Sequence, residues 1–157
     1  LGMKRILIVL AVVAAALVVE DEPSLQTTLC ATLTLMGFKT YHADTVDSAL
    51  KILGTEHVDA ISLDIRLPDP KGFQRTGLSL LAFLRATAEY AHVPVLIFTG
   101  IPLSPEDEEL VRRHDAHVFY KPQRYSVLIE HLNRSLLGTP NPHWPPFGNR
   151  PRNTKLV

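Results

Sequence analysis

The chain has 157 residues, enough for one domain with a full core, and 46% of them are apolar, which excludes a disordered chain. Sixteen basic residues balance sixteen acidic ones, so no general electrostatic pull toward nucleic acid or an anionic membrane is expected. Cys30 is the single cysteine, which excludes a disulfide framework; among Leu29, Leu33 and Met36 it reads as core filling, not as a nucleophile.

The opening can be read in two ways. Lys4 and Arg5 precede an unbroken apolar run from Ile6 to Val19 that contains Ala14-Ala15-Ala16, the outline of a signal peptide with a small-residue cleavage site. The same run ends in Leu17-Val18-Val19 followed by Glu20-Asp21-Glu22, like a buried strand delivering acids to its carboxyl end. At 14 residues it is shorter than the roughly 18 needed for a membrane span.

After it, "PSLQTTLCATLTLMG" puts Leu25, Leu29, Leu33 and Met36 at helical spacing, with Pro23 ahead and Gly37 as a stop. "FKTYHA" alternates like a short strand. "DTVDSALKILG" reads as a helix with Val46, Ala49, Leu50 and Leu53 on one face and Gly54 closing it. "VDAISLD" is a strand ending at Asp64, "LSLLAFLRATAEY" a helix, and "VPVLIFTG" a strand apolar enough to be buried on both faces. In "SPEDEELVRRH", Ser104 is the N-cap, Pro105 takes the first helical position and three acids fill the first turn. "AHVFYKP" is a last strand and "SVLIEHLNRSLLG" a last helix closed by Gly138. Five strands alternating with helices predict an open parallel sheet with helices on both faces. From residue 139 onward five prolines, three basic residues and no acid break the pattern, and this stretch, with Trp144 and Phe147, reads as a tail or linker.

Ligands of a parallel α/β sheet bind outside the carboxyl ends of its strands. There this sequence places Glu20-Asp21, Asp64, Thr99-Gly100 and Lys121-Pro122. Crowded carboxylates call for a cation, and a hard ion such as Mg²⁺ suits an all-oxygen set. A carboxylate can also attack phosphorus, with a hydroxyl and an ammonium neutralising the phosphoryl oxygens, and Gly100 leaves room for the approach.

The fragments "LVVEDE", "SLDIRLP", "IFTG" and "FYKP", in this order and at these strand ends, make residues 14–138 resemble the receiver domain of bacterial two-component response regulators. The resemblance implies a flavodoxin-like, doubly wound five-stranded parallel sheet, (βα)5, in the order 2-1-3-4-5. It also implies Asp64 as phosphoacceptor and Mg²⁺ held by Glu20, Asp21, Asp64 and the backbone carbonyl of Arg66. Thr99 would be the switch hydroxyl, next to Gly100, and Lys121 the phosphoryl contact, with Pro122 following through a cis bond. The implied partners are a histidine kinase or histidine phosphotransfer protein and a downstream protein target, with no direct nucleic acid and no membrane. The implied role is that of a signalling phosphoacceptor, not an enzyme beyond self-phosphorylation and self-dephosphorylation.

Three features depart from the family pattern. The loop "IRLPDPKGFQRTG" is about five residues longer than is usual at this position, so Gly72 and Gly77 compete for the glycine before the next helix. The switch aromatic expected three residues before the lysine is Val118, and Tyr120 shares its strand face. The start also carries an extra apolar segment. These departures keep open a second reading, a degenerate receiver that binds partners without being phosphorylated. A haloacid-dehalogenase-type phosphatase would need an acid where Arg66 stands. A kinase fed by ATP works in the cytoplasm, so the apolar run is read as structural: an extension over residues 1–13, then the first strand from Ala14 to Val19. A secreted flavodoxin-like protein is the weaker reading. The extension is expected to pack against the domain or against a second copy, a possible homodimer. The seven histidines show no metal-site spacing and read as surface or structural.

Overall fold

The structure, a computed structural model, describes residues 13–69 and 77–121. Within them five strands alternate with four helices. In chain order these are β1 (Ala15–Val19), α1 (Pro23–Leu35), β2 (Lys39–Ala43), α2 (Val46–Thr55) and β3 (Ala60–Leu63). α3 (Gly77–Ala86), β4 (Val95–Thr99), α4 (Pro105–Arg113) and β5 (His117–Tyr120) follow. All the strands pair in parallel in the order β2-β1-β3-β4-β5, the expected sheet. The expected last helix, the apolar extension up to residue 12, Gly72, Pro122 and the proline-rich tail lie outside the described residues.

The central strands have no polar face because helices cover both sides. All five residues of β1 and all five of β4 are buried. Leu17, Val19, Ile61, Leu63, Val95 and Ile97 pack toward α2, α3 and α4. Ala16, Val18, Ala60, Leu96, Phe98 and Phe119 face the other way, where α1 supplies Leu25, Leu29 and Leu33. Each buried leucine or isoleucine stabilises the fold by about 1.5–3 kcal/mol, so these two layers fix the strand ends in space. Cys30 is half-buried and packs against the second layer, in keeping with a filling role.

The helix ends show where the sequence pattern was sound and where it was not. α1 closes on Gly37 at φ +90°, with Phe38 N–H donating to the Leu33 carbonyl and Gly37 N–H to that of Thr34. That double bond is the Schellman ending, for which glycine is suited. Met36, expected on the buried face, is instead the cap residue and 45% exposed, because the chain has already left the helical path. Gly54, expected to stop α2, lies inside it: the helix runs to Thr55 and ends where Glu56 turns extended. Leu50 is half-buried and packs against the core beside Ala49 and Leu53. The start of α2 is fixed by reciprocal bonds between Thr45 and Ser48, a capping box worth about 1 kcal/mol. α3 stops at Ala86, short of Tyr90, which is buried and donates its hydroxyl to the Leu53 carbonyl. α4 begins as expected, with the Ser104 Oγ accepting from the Asp107 N–H at 3.1 Å.

Candidate phosphoryl and metal site

The residues that follow β1, β3 and β5 bring their charged groups together at the carboxyl-end rim. Glu20 directly follows β1, and its N–H donates to the Ala43 carbonyl at 2.9 Å, locking it beside β2. Asp64 directly follows β3 and is tied back by its N–H to the Val19 carbonyl at 2.9 Å. Carboxylate oxygens of Glu20, Asp21 and Asp64 lie within 4.8 Å of one another, with Glu20 and Asp64 buried and Asp21 exposed. Among the described residues this is a group of acids that could hold a metal ion.

Lys121 follows β5 and reaches across the sheet. Its Nζ lies 2.8 Å from Glu20 Oε2 and 3.2 Å from Asp64 Oδ2, while its ammonium sits 5.4 Å from the centroid of the Phe98 ring. Of the two acids Glu20 is the nearer partner, a pairing that sequence reasoning missed. Burial alone would pull the Lys121 ammonium down, but hydrogen bonds and charges from Glu20 and Asp64 outweigh it and hold its pKa above the usual lysine value. Burial pushes the Glu20 carboxyl up, and the Asp64 charge adds to the rise; the Lys121 hydrogen bond opposes it.

Arg66 is bound to the site by its backbone N–H, which donates to Asp64 Oδ1 at 3.3 Å. Thr99 is buried at the end of β4, its Oγ1 accepting from Ile101 N–H at 3.3 Å and its carbonyl from Lys121 N–H at 2.8 Å. Gly100 is open: a Cβ there would meet Lys121 Cδ at 3.8 Å, an ordinary contact. Tyr120 is buried and lies beside Thr99 in the strand register, whereas Val118 lies beside Ile97 and packs into the core. Gly77, not separable from Gly72 by sequence, is pressed against the site, while Gly72 lies outside the described residues. Its N–H donates to the Ile65 carbonyl at 2.8 Å, and a Cβ on it would fall 2.0 Å from the Asp64 carbonyl oxygen.

The raised Glu20 pKa carries a testable consequence. Above the ordinary carboxyl value of 4.5 the folded protein holds the Glu20 proton more tightly than the unfolded chain does. Stability from this group is therefore fully present below that pH and lost as the pH rises through the folded value. Glu20→Gln, neutral throughout, should gain stability relative to wild type as the pH rises from acid toward neutrality when no divalent ion is present. Urea unfolding across this range in a chelator checks it; an advantage that shrinks with rising pH would contradict the assignment.

A doubly wound parallel sheet with an acidic centre and a lysine at its carboxyl rim defines the architectural class. The family model described as response regulator receiver domain matches residues 16–133. This chain belongs to the receiver domains of two-component response regulators. The response regulator protein FleR of Pseudomonas aeruginosa is 30% identical over 125 residues, covering 80% of this chain and 25% of FleR. The chain thus spans about a quarter of that relative. The CAI-1 autoinducer sensor kinase/phosphatase CqsS of Vibrio cholerae is 28% identical over 114 residues, 72% of this chain and 16% of CqsS. Among solved structures, the chemotaxis protein CheY4 of Vibrio cholerae matches with TM-score 0.69 and 25% identity over 79% of this chain and 99% of its own. The receiver domain of sensor histidine kinase PA1611 from Pseudomonas aeruginosa, which holds a magnesium ion in its active-site cleft, matches with TM-score 0.67 and 25% identity, over 80% and 98% of the two chains. Among the described residues no helix is long and apolar enough to cross a membrane.

Proposed function

We propose that residues 14–138 accept a phosphoryl group on Asp64, from a histidine kinase or histidine phosphotransfer protein in the cytoplasm, and pass the signal on through a protein contact. The observation that supports this most is the charge balance of the rim. Glu20, Asp21 and Asp64 bring three negative charges and Lys121 one positive, leaving a formal −2 in a site where two of the acids are buried. Mg²⁺ fits that deficit and the all-oxygen donor set, with Glu20, Asp21, Asp64 and the Arg66 carbonyl as its protein ligands; when bound it would offset charge on the phosphoryl oxygens.

The remaining steps belong to the chain itself. A carboxylate oxygen of Asp64 attacks phosphorus, and an O–P bond forms as the P–N bond to the donor imidazole breaks. The electron pair returns to that nitrogen and the product is an aspartyl phosphate. Lys121, held between Glu20 and Asp64, then has the phosphoryl oxygens within reach as charge-assisted acceptors. The Thr99 hydroxyl, now engaged by the Ile101 N–H, is the group that would turn toward the phosphate and draw on the segment leading to α4.

On this reading the protein is a signalling phosphoacceptor and not an enzyme acting on a separate substrate. The alternative, a receiver that binds a partner without phosphorylation, draws on Val118 standing where the resemblance leads one to expect an aromatic switch residue. One experiment separates them: incubation with a small phosphodonor and Mg²⁺, followed by intact-mass analysis and peptide mapping. One phosphoryl group per chain, released by hydroxylamine as an acyl phosphate and mapped to the peptide containing Asp64, supports the phosphoacceptor. No uptake, with Mg²⁺ and donor in excess, supports the binding module.

A further inference from the structure

Arg85, far from the acidic rim at the end of α3, has a role that the phosphoryl site does not explain. Its guanidinium donates to four backbone carbonyls. Nε reaches the His114 oxygen at 2.7 Å and Nη2 the Asp115 oxygen at 3.3 Å, both just beyond the carboxyl end of α4. Nη1 reaches the Tyr90 and Val93 oxygens at 3.1 and 2.8 Å, both in the segment between α3 and β4. The planar fork of an arginine can bridge two segments in this way; a lysine ammonium, a single point charge, cannot.

The turn it grips is a strained one. α4 ends as α1 does, with Ala116 N–H on the Val111 carbonyl and Asp115 N–H on that of Arg112. The left-handed position, glycine in α1, is here Asp115 at φ +48°, a conformation that a residue with a Cβ adopts less readily than glycine. Such a conformation persists only where its surroundings over-determine it. Arg85 takes the carbonyls of the cap residue His114 and of Asp115 itself and sets a cation at the negative pole of α4. The opposite end of α4 is held differently: a short segment joins it to Thr99, and Ile101 N–H in that segment is bonded to the Thr99 hydroxyl.

We infer that Arg85 is a positioning residue that anchors the carboxyl end of α4, so that movement begun at Thr99 is taken up at the helix's amino end and α4 tilts about a fixed point. This rests on the phosphoacceptor reading for the source of the movement, but the anchor itself is readable without it.

Amide hydrogen exchange on the full chain tests it, with and without Mg²⁺ and beryllofluoride as the phosphoryl mimic. In the wild type, beryllofluoride should change exchange at residues 101–108 and leave residues 112–116 within about twofold of their resting rates. Arg85→Met should speed exchange at residues 112–116 about tenfold at rest and spread the beryllofluoride response along all of α4. Arg85→Lys should fall between the two and serves as the readout if the methionine variant does not fold. A brace with no part in the switch would raise resting exchange and leave the beryllofluoride-induced pattern as in wild type. That result overturns the inference, as does a wild-type response equal at both ends of α4. If the wild type does not respond to beryllofluoride at all, the phosphoacceptor reading fails. Resting exchange at residues 112–116 then still decides whether Arg85 is an anchor.

Discussion

Asp64→Asn is expected to reduce Mg²⁺-dependent phosphoryl uptake to below about 1% of wild type while leaving a cooperative fold. An amide has no anionic oxygen to attack phosphorus, and the other buried acid of the cluster is already engaged. Glu20 is buried and already bonded to Lys121 at 2.8 Å and to the Glu22 N–H at 3.2 Å. The fold should survive because the amide oxygen of the variant can still accept from the Arg66 N–H and Lys121 keeps Glu20 as a partner. Removing one of three crowded acids also relieves repulsion, so stability should stay within about 1 kcal/mol of wild type. Intact mass after treatment with a small phosphodonor reads the first effect and urea unfolding the second. Uptake that persists at the wild-type level would move the phosphoacceptor away from Asp64.

The sheet and its rim were legible in the sequence because both rest on strong local signals. Continuous apolar runs such as Val95–Thr99, alternating with helices, suit the doubly covered strands of a parallel sheet, and the polar residues that end those runs then share one edge. What stayed illegible depends on distance in space, not on pattern. Nothing in the text "ATLTLMGF" says that the helix axis ends one residue before Met36; the Phe38–Leu33 contact beyond the glycine decides it. Gly54 resembles a stop but meets no tertiary demand to be one, so α2 continues through it. Arg85 looks like one more surface arginine on an amphipathic helix, and its four carbonyl partners come from two turns 5 to 30 residues away. The preference of Lys121 for Glu20 spans 101 residues and needed the folded rim to appear. The close approach of Gly77 to the Asp64 backbone was equally hidden, because only the packed helix brings the two together.

That approach makes Gly77→Ala the most damaging single methyl group that can be added among the described glycines. The new Cβ would lie 2.0 Å from the Asp64 carbonyl oxygen, 2.9 Å from its carbonyl carbon and 3.0 Å from the Ile65 Cα. All three are backbone atoms, so no flexible side chain can move aside. The first turn of α3 must retreat, and the Gly77 N–H bond to the Ile65 carbonyl at 2.8 Å stretches with it. Overpacking of this kind costs about 1–3 kcal/mol and a lost buried hydrogen bond about 1 more, so a loss on the order of 3 kcal/mol is expected. The strain falls on Asp64, the proposed phosphoacceptor. A displacement of about 1 Å at Asp64 should slow phosphoryl uptake on the order of a hundredfold, even where the variant remains folded. Two other glycines give the comparison its meaning. Gly100→Ala meets only Lys121 Cδ at 3.8 Å and should change stability by less than about 0.5 kcal/mol. Gly54→Ala, inside α2 with nothing within 4 Å, should stabilise by about 0.5–1 kcal/mol because a helix interior favours alanine. Urea unfolding of the three variants side by side, with uptake rates for Gly77→Ala, reads the series. Equal stabilities across it would mean that α3 can shift its start freely and that Asp64 is not held by the close contact at Gly77.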